Sequence, residues 1–149
     1  MKTTVKNIKT TRFGELDVSP EDIIAMPEGI IGFSNVNEYI ILDFYSGIDT
    51  ALKWFQAIDC PELAFVLIDP YTFRPDYKVN ITDEEIDFLK VTSPDAIRAM
   101  TIVSIPNDPS KMTANLLGPV LINPENRLAI QVVLNDTEYT SSHYILPQE

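Results

Sequence analysis

The chain has 149 residues, enough for one domain over 1–149 that buries roughly 68 to 70 % of the surface its unfolded form exposes, so folding requires neither metal nor disulfide. Its 11 basic and 22 acidic residues give a net charge of −11, which repels phosphate backbones and argues against direct binding to DNA or RNA. The first six residues lead into no apolar leader, no run approaches the roughly 18 apolar residues of a membrane span, and the unpaired Cys60 suits a reducing compartment, so the expected location is cytoplasmic.

The charge is unevenly placed. Lys2, Lys6, Lys9 and Arg12 put +4 on the first twelve residues, and Phe13 to Leu52 then carries eight acids with no Lys or Arg. Such a surface attracts a basic partner, although acidity also serves plain solubility.

In chain order, Thr3 to Ile8 alternates in part and fits an edge strand whose lysines face water. Gly14 and Leu16-Asp17-Val18 predict a turn and a partner strand. Ser19-Pro20 resembles a helix start, but Pro27 leaves room only for a turn and a short strand over Ile23 to Met26. Gly29 and Gly32 belong to no phosphate-binding loop, because neither GxGxxG nor GxxxxGK[ST] occurs. They suit positive φ or close packing at a barrel corner. Glu38 to Phe44 is a strand, and Tyr45 to Asp49 the loop after it.

The centre of the chain is WFQAIDCPELAFVLIDP, Trp54 to Pro70. Two apolar runs flank Asp59-Cys60-Pro61-Glu62, which has turn chemistry, so the segment predicts a hairpin. Leu63 to Ile68 is apolar throughout and fits a strand covered on both faces; Pro70 ends it. Pro70 to Tyr77 is an irregular aromatic loop. Thr82-Asp83-Glu84-Glu85 matches a capping box before a short helix, and Ser93-Pro94-Asp95 opens another turn or two. Met100 to Ile105 is a strand. Leu116 to Ile122 and Leu128 to Leu134 form a last hairpin around Pro124-Glu125-Asn126, with a bulge or edge position at Gly118-Pro119, and Tyr139 to Glu149 is a loosely packed tail. The fold class that follows is mainly β, a small antiparallel barrel-like or strongly bent sheet with two short helices.

No catalytic constellation assembles. His143 stands alone, no HxxxH, HxH or CxxC occurs, the serines lack nucleophile-elbow contexts, and the carboxylate pairs Glu21/Asp22 and Asp83/Glu85 sit at capping positions. Cys60 reads as a small buried or half-buried thiol. The expectation is no enzyme, no cofactor and no metal. A rival reading, a barrel holding a small apolar ligand, requires a sizeable internal cavity.

Over nearly its whole length the chain resembles the flagellar assembly factor FliW family. The likeness rests on Phe13-Gly14, Met26-Pro27-Glu28-Gly29-Ile30-Ile31-Gly32-Phe33, Trp54-Phe55-Gln56-Ala57, Pro61-Glu62-Leu63-Ala64-Phe65 and Asp69-Pro70. It continues through Asn115 to Asn123, Arg127 and Gln131-Val132-Val133-Leu134; Leu128-Ala129 departs from it where a glycine is expected. Separately, the free protein is expected to be monomeric; the resemblance implies a non-enzymatic cytoplasmic protein with two alternative partners. These are flagellin and the small RNA-binding regulator CsrA, which represses flagellin translation and which the family antagonises.

For the partner surface, aromatic and acidic residues point to two loops. One carries Asp43, Tyr45 and Asp49, the other Asp69, Tyr71 and Phe73. The competing reading is that these rings merely roof the core under their own loops.

Overall fold

In a computed structural model, described here for residues 5–45, 47–135 and 137–148 and for the backbone alone at Ile48 and Asp49, the chain forms eleven strands and one α-helix. Strands β1 (Lys6–Thr10) and β2 (Gly14–Val18) make a separate hairpin with Lys6 and Lys9 outward. Its apolar residues Ile8 and Val18 pack with Ile40 and Ile58. The expected edge strand is therefore present from Lys6, while Thr3 and Thr4 lie outside the described residues. A single 3-10 turn at Pro20–Asp22 leads into β3 (Ile23–Ala25), as the intervening prolines require.

The main sheet continues with β4 (Glu38–Tyr45), β5 (Ile48–Ala57), β6 (Ala64–Ile68), β7 (Arg98–Ser104), β9 (Val120–Asn123) and β10 (Leu128–Gln131). The order β7-β6-β5-β4-β3-β10-β9 closes on itself because β9 also pairs with β7. A ring of seven strands cannot alternate direction all the way round. One joint must be parallel, and it is β10 with β3, through Leu128 opposite Ala25. The antiparallel expectation is corrected at that joint alone.

Alternation along the strands fills the ring. Met26, Tyr39, Phe55, Leu67, Met100, Val120 and Ala129 are all fully buried in one cluster, and Tyr39 stacks on Phe55 at 4.3 Å between centroids. This packed interior removes the basis of the ligand-barrel reading.

The central hairpin stands as read: Trp54 pairs with Val66 and Phe55 with Phe65, and the ladder stops before Pro70. At one end of the barrel the segment after Pro27 folds over the opening. Ile30 is buried in the core, Phe33 lies edge-on to Phe65 at 5.3 Å, and Gln131 ties the lid down by accepting from the Ile31 amide at 2.8 Å while donating to Gly118 O at 2.9 Å. Gly29 is required there: its φ is +68°, and a Cβ would collide with the Phe33 carbonyl oxygen.

Helix α1 (Asp83–Leu89) begins in the expected capping box, with Thr82 Oγ1 accepting from the Glu85 amide at 3.1 Å and the Glu85 carboxylate accepting from the Thr82 amide at 2.9 Å. The second expected helix is only a 3-10 turn, Pro94–Ala96. Three further expectations need correction. Ile48 and Asp49 belong to β5, because Gly47 at φ +74° permits a tight turn between Tyr45 and its partner Ile48. Residues 116–119 precede β9, although Val132 and Leu134 amides still reach Pro119 and Leu117 carbonyls at 3.0 and 2.8 Å. The tail is tied down: β11 (His143–Tyr144) pairs with β8 (Thr113–Ala114), extending the sheet beyond β7.

Candidate functional site

The two aromatic loops lie on either side of one patch on the outer wall of the barrel. Phe44, Leu52, Trp54 and Phe73 all pack against a cluster formed by Val66, Ile68, Val103 and Ala114. Alternation puts these side chains outward, because β4, β5 and β6 give Ile41, Phe55 and Leu67 to the interior. The patch is thus a second, external apolar layer.

The rings divide by exposure. Phe44 is half-buried and stacks on Trp54 at 5.2 Å, and Phe73 is half-buried and stacks on His143 at 5.7 Å. These two do roof the wall, as the competing reading has it. Tyr45 is 56 % exposed and stands edge-on against Phe44 at 5.1 Å; Tyr71 is 44 % exposed and leans on Tyr77 at 5.9 Å. An exposed ring whose base is fixed by a buried or half-buried neighbour loses little freedom when a partner covers it.

The acids are more committed than their types suggest. Asp43 faces Lys53 across the β4–β5 ladder and pairs with it at 3.1 Å. Asp69 accepts from the Tyr71 amide at 3.0 Å, so its carboxylate caps the 3-10 turn Pro70–Thr72 and positions the Tyr71 ring. Burial, then the Asp69 carboxylate and Tyr139, push the Tyr71 hydroxyl above its ordinary range. The Asp49 side chain lies outside the described residues.

Sequence reasoning missed the neighbours that hold these loops. Phe13 meets Trp54 edge-on at 5.7 Å, and the Arg12 guanidinium sits 4.5 Å from the Trp54 ring centroid. Part of the basic amino-terminal segment therefore covers the aromatic patch. On the other side Tyr139 lies 4.7 Å from Tyr77 and 5.1 Å from the Arg74 guanidinium, which also pairs with Asp76 and Glu138 at 2.9 and 3.2 Å. A tail without hydrophobic periodicity gave no local sign of this docking.

Among the described residues no three or more His, Cys, Asp or Glu side chains could hold a metal ion. The Cys60 thiol is pushed up by burial and by Glu62, whose carboxylate accepts from it at 3.5 Å, the opposite of what a nucleophile needs. No helix among the described residues is long and apolar enough to cross a membrane.

A family model described as "FliW protein" matches residues 6–145. The chain is 39% identical over 141 residues to the flagellar assembly factor FliW of Ruminiclostridium cellulolyticum, covering 95% of each protein. It is 40% identical over 141 residues to that of Treponema denticola, covering 95% of this chain and 94% of the relative. A crystal structure of a flagellar assembly factor FliW superimposes with a TM-score of 0.89 at 28% identity, over 97% of this chain and 99% of the other.

Proposed function

The chain belongs to the FliW family, and from that premise we propose that it is a cytoplasmic, non-enzymatic binding protein that engages flagellin and, alternatively, CsrA. Capture of CsrA relieves repression of flagellin translation, and accumulating flagellin reverses this by occupying the protein. The observation that carries the reading is the end-to-end family match over residues 6–145.

Two physical features support it. A net charge of −11 draws a basic RNA-binding partner while repelling RNA from the complex, so RNA binding is opposed without occupation of the RNA groove. The outer patch offers Tyr45 and Tyr71 above a firm aromatic base, the ring type enriched among interface anchors. The protein acts as a monomer when free and binds no nucleic acid itself.

Calorimetric titration of the purified protein with CsrA and with flagellin tests this directly. Each partner is expected to bind alone and to displace the other. Tyr45→Ala and Tyr71→Ala are each expected to weaken at least one complex about tenfold or more without changing the melting temperature. Absence of binding to both partners at low ionic strength rejects the function. Binding within twofold of the parent for both variants moves the interface elsewhere on the protein.

A further inference from the structure

At the end of the barrel opposite the glycine lid, a cleft of about 620 Å³ runs between β2, the Pro20–Asp22 turn, β4 and the β9–β10 turn. Its apolar lining includes Ile24, Ile41 and Leu42; Asp17, Glu21 and Asp22 carry negative charge into it, and Arg98 and Arg127 positive charge. Arg98 opens β7 directly opposite Ile122, so it shares the face of the core residue Met100, and Arg127 closes the turn of residues 124–127 immediately before β10. Both side chains line the cleft at the barrel rim, Arg98 exposed and Arg127 half-buried.

Neither is matched by an acid. Among the described residues no carboxylate lies within ion-pair distance of Arg98 or Arg127, in a chain with twice as many acids as bases. Arg127 Nε is buried with no hydrogen-bond partner, and Nη1 reaches only the Glu125 carbonyl, at 3.3 Å. The backbone at Arg127 is held at φ +58°, a left-handed conformation that glycine adopts freely and a long side chain does not. Strain and an unmet buried donor at the same residue mark a position kept for its guanidinium.

The cleft also has a free backbone edge. β3 pairs with β4 only as far as Ile23 opposite Ile40, and the chain then turns away at Asp22, so from Ile41 onward this side of β4 has no strand partner among the described residues. An extended segment can lie along it.

We propose that this cleft docks an extended protein segment that presents a carboxylate to Arg98 and Arg127, aliphatic side chains to Ile24 and Ile41, and a basic group to Asp17, Glu21 and Asp22. A carboxylate matches the guanidinium fork with one charge, whereas a phosphate brings more charge against three facing acids. The site is separate from the Tyr45 and Tyr71 rings and does not depend on their role.

The test uses the whole protein and an amidated synthetic peptide with one glutamate among leucines followed by a lysine, its glutamine counterpart, and inorganic phosphate. Binding is followed by NMR at the arginine Nε–H signals and the Ile24 and Ile41 methyls. The glutamate peptide is expected to move these signals to saturation and to bind about tenfold or more tightly than the glutamine peptide. Arg127→Gly, which suits the backbone, and Arg98→Gln are each expected to abolish that difference, while Tyr45→Ala leaves it intact. If Arg127→Gly fails to fold, the exposed Arg98→Gln decides alone. Equal binding of the two peptides, tighter binding of phosphate, or no movement of the signals overturns the proposal.

Discussion

The two ends of the barrel are built to opposite rules. At the lid end every polar atom of Gln131 that meets the covering segment has a partner, Ile30 completes the core, and Phe33 rests on Phe65. At the other end two guanidinia enter from the rim without carboxylates, and one buried nitrogen donates to nothing. Closure at the first end serves folding; the second holds Arg127 in a left-handed backbone while its guanidinium makes one hydrogen bond, to the Glu125 carbonyl. A packed interior is what lets the ends differ, because the ring keeps its shape without help from its openings.

Stability measurements can break or sharpen that contrast. The largest loss is expected from Phe55→Ala in the interior, about 3–5 kcal/mol by urea unfolding, since it empties a fully buried site and removes the stack with Tyr39. Gly29→Ala at the lid is expected to cost about 2 kcal/mol, because the left-handed backbone and the Phe33 carbonyl both oppose a methyl group. A neutral result would show that the lid is not part of the folded core.

Tyr39 supplies a pH signature. Burial first, then the neighbouring Cys60, pushes its hydroxyl from 10.0 up to about 12. The fold therefore favours the neutral phenol; the stability this contributes is intact below pH 10.0 and is lost as pH rises towards about 12. Tyr39→Phe removes a hydroxyl that has no hydrogen-bond partner, so stability at neutral pH should hold or rise slightly and the alkaline decline should become shallower. Unfolding curves at several pH values for both proteins check the sign. The smallest effect is expected at the charged end: Arg127→Gly relieves about 1 kcal/mol of left-handed strain and adds a similar entropy to the unfolded chain, leaving the melting temperature nearly unchanged. A large loss there would make Arg127 a structural residue after all.

What could be read in advance was local. The hairpin from Trp54 to Ile68, its stop at Pro70 and the capping box at Thr82 each depend on neighbours a few residues apart, so residue type alone announces them. A barrel was legible as a class from the many short strands, but the joints that close it were not, because β7 with β9 and β10 with β3 join separate segments through few pairs. Nor was the tail, which is held by Tyr139, His143 and Arg74 and not by a periodic apolar face. Of the candidate site, Tyr45 and Tyr71 emerge as exposed rings, whereas Asp43 and Asp69 turn out to be occupied locally. Arg127 was legible as a residue of the family likeness but not as part of a cleft; its unpartnered Nε, and the Ile24 and Ile122 that line the same cleft, come together only in the folded chain.

An odd ring has a seam. Leu128 facing Ala25 is the sole paired position of the parallel joint, and the Ala25 amide reaching the Arg127 carbonyl at 2.8 Å is the bond beside it. The cylinder can therefore be unzipped along this line through fewer paired positions than at any other joint of the ring, and among those joints deuterium should enter there first. Because Arg127 stands at the seam, any molecule clasped by its side chain would act as a buckle across the slit, slowing the breathing of the entire wall.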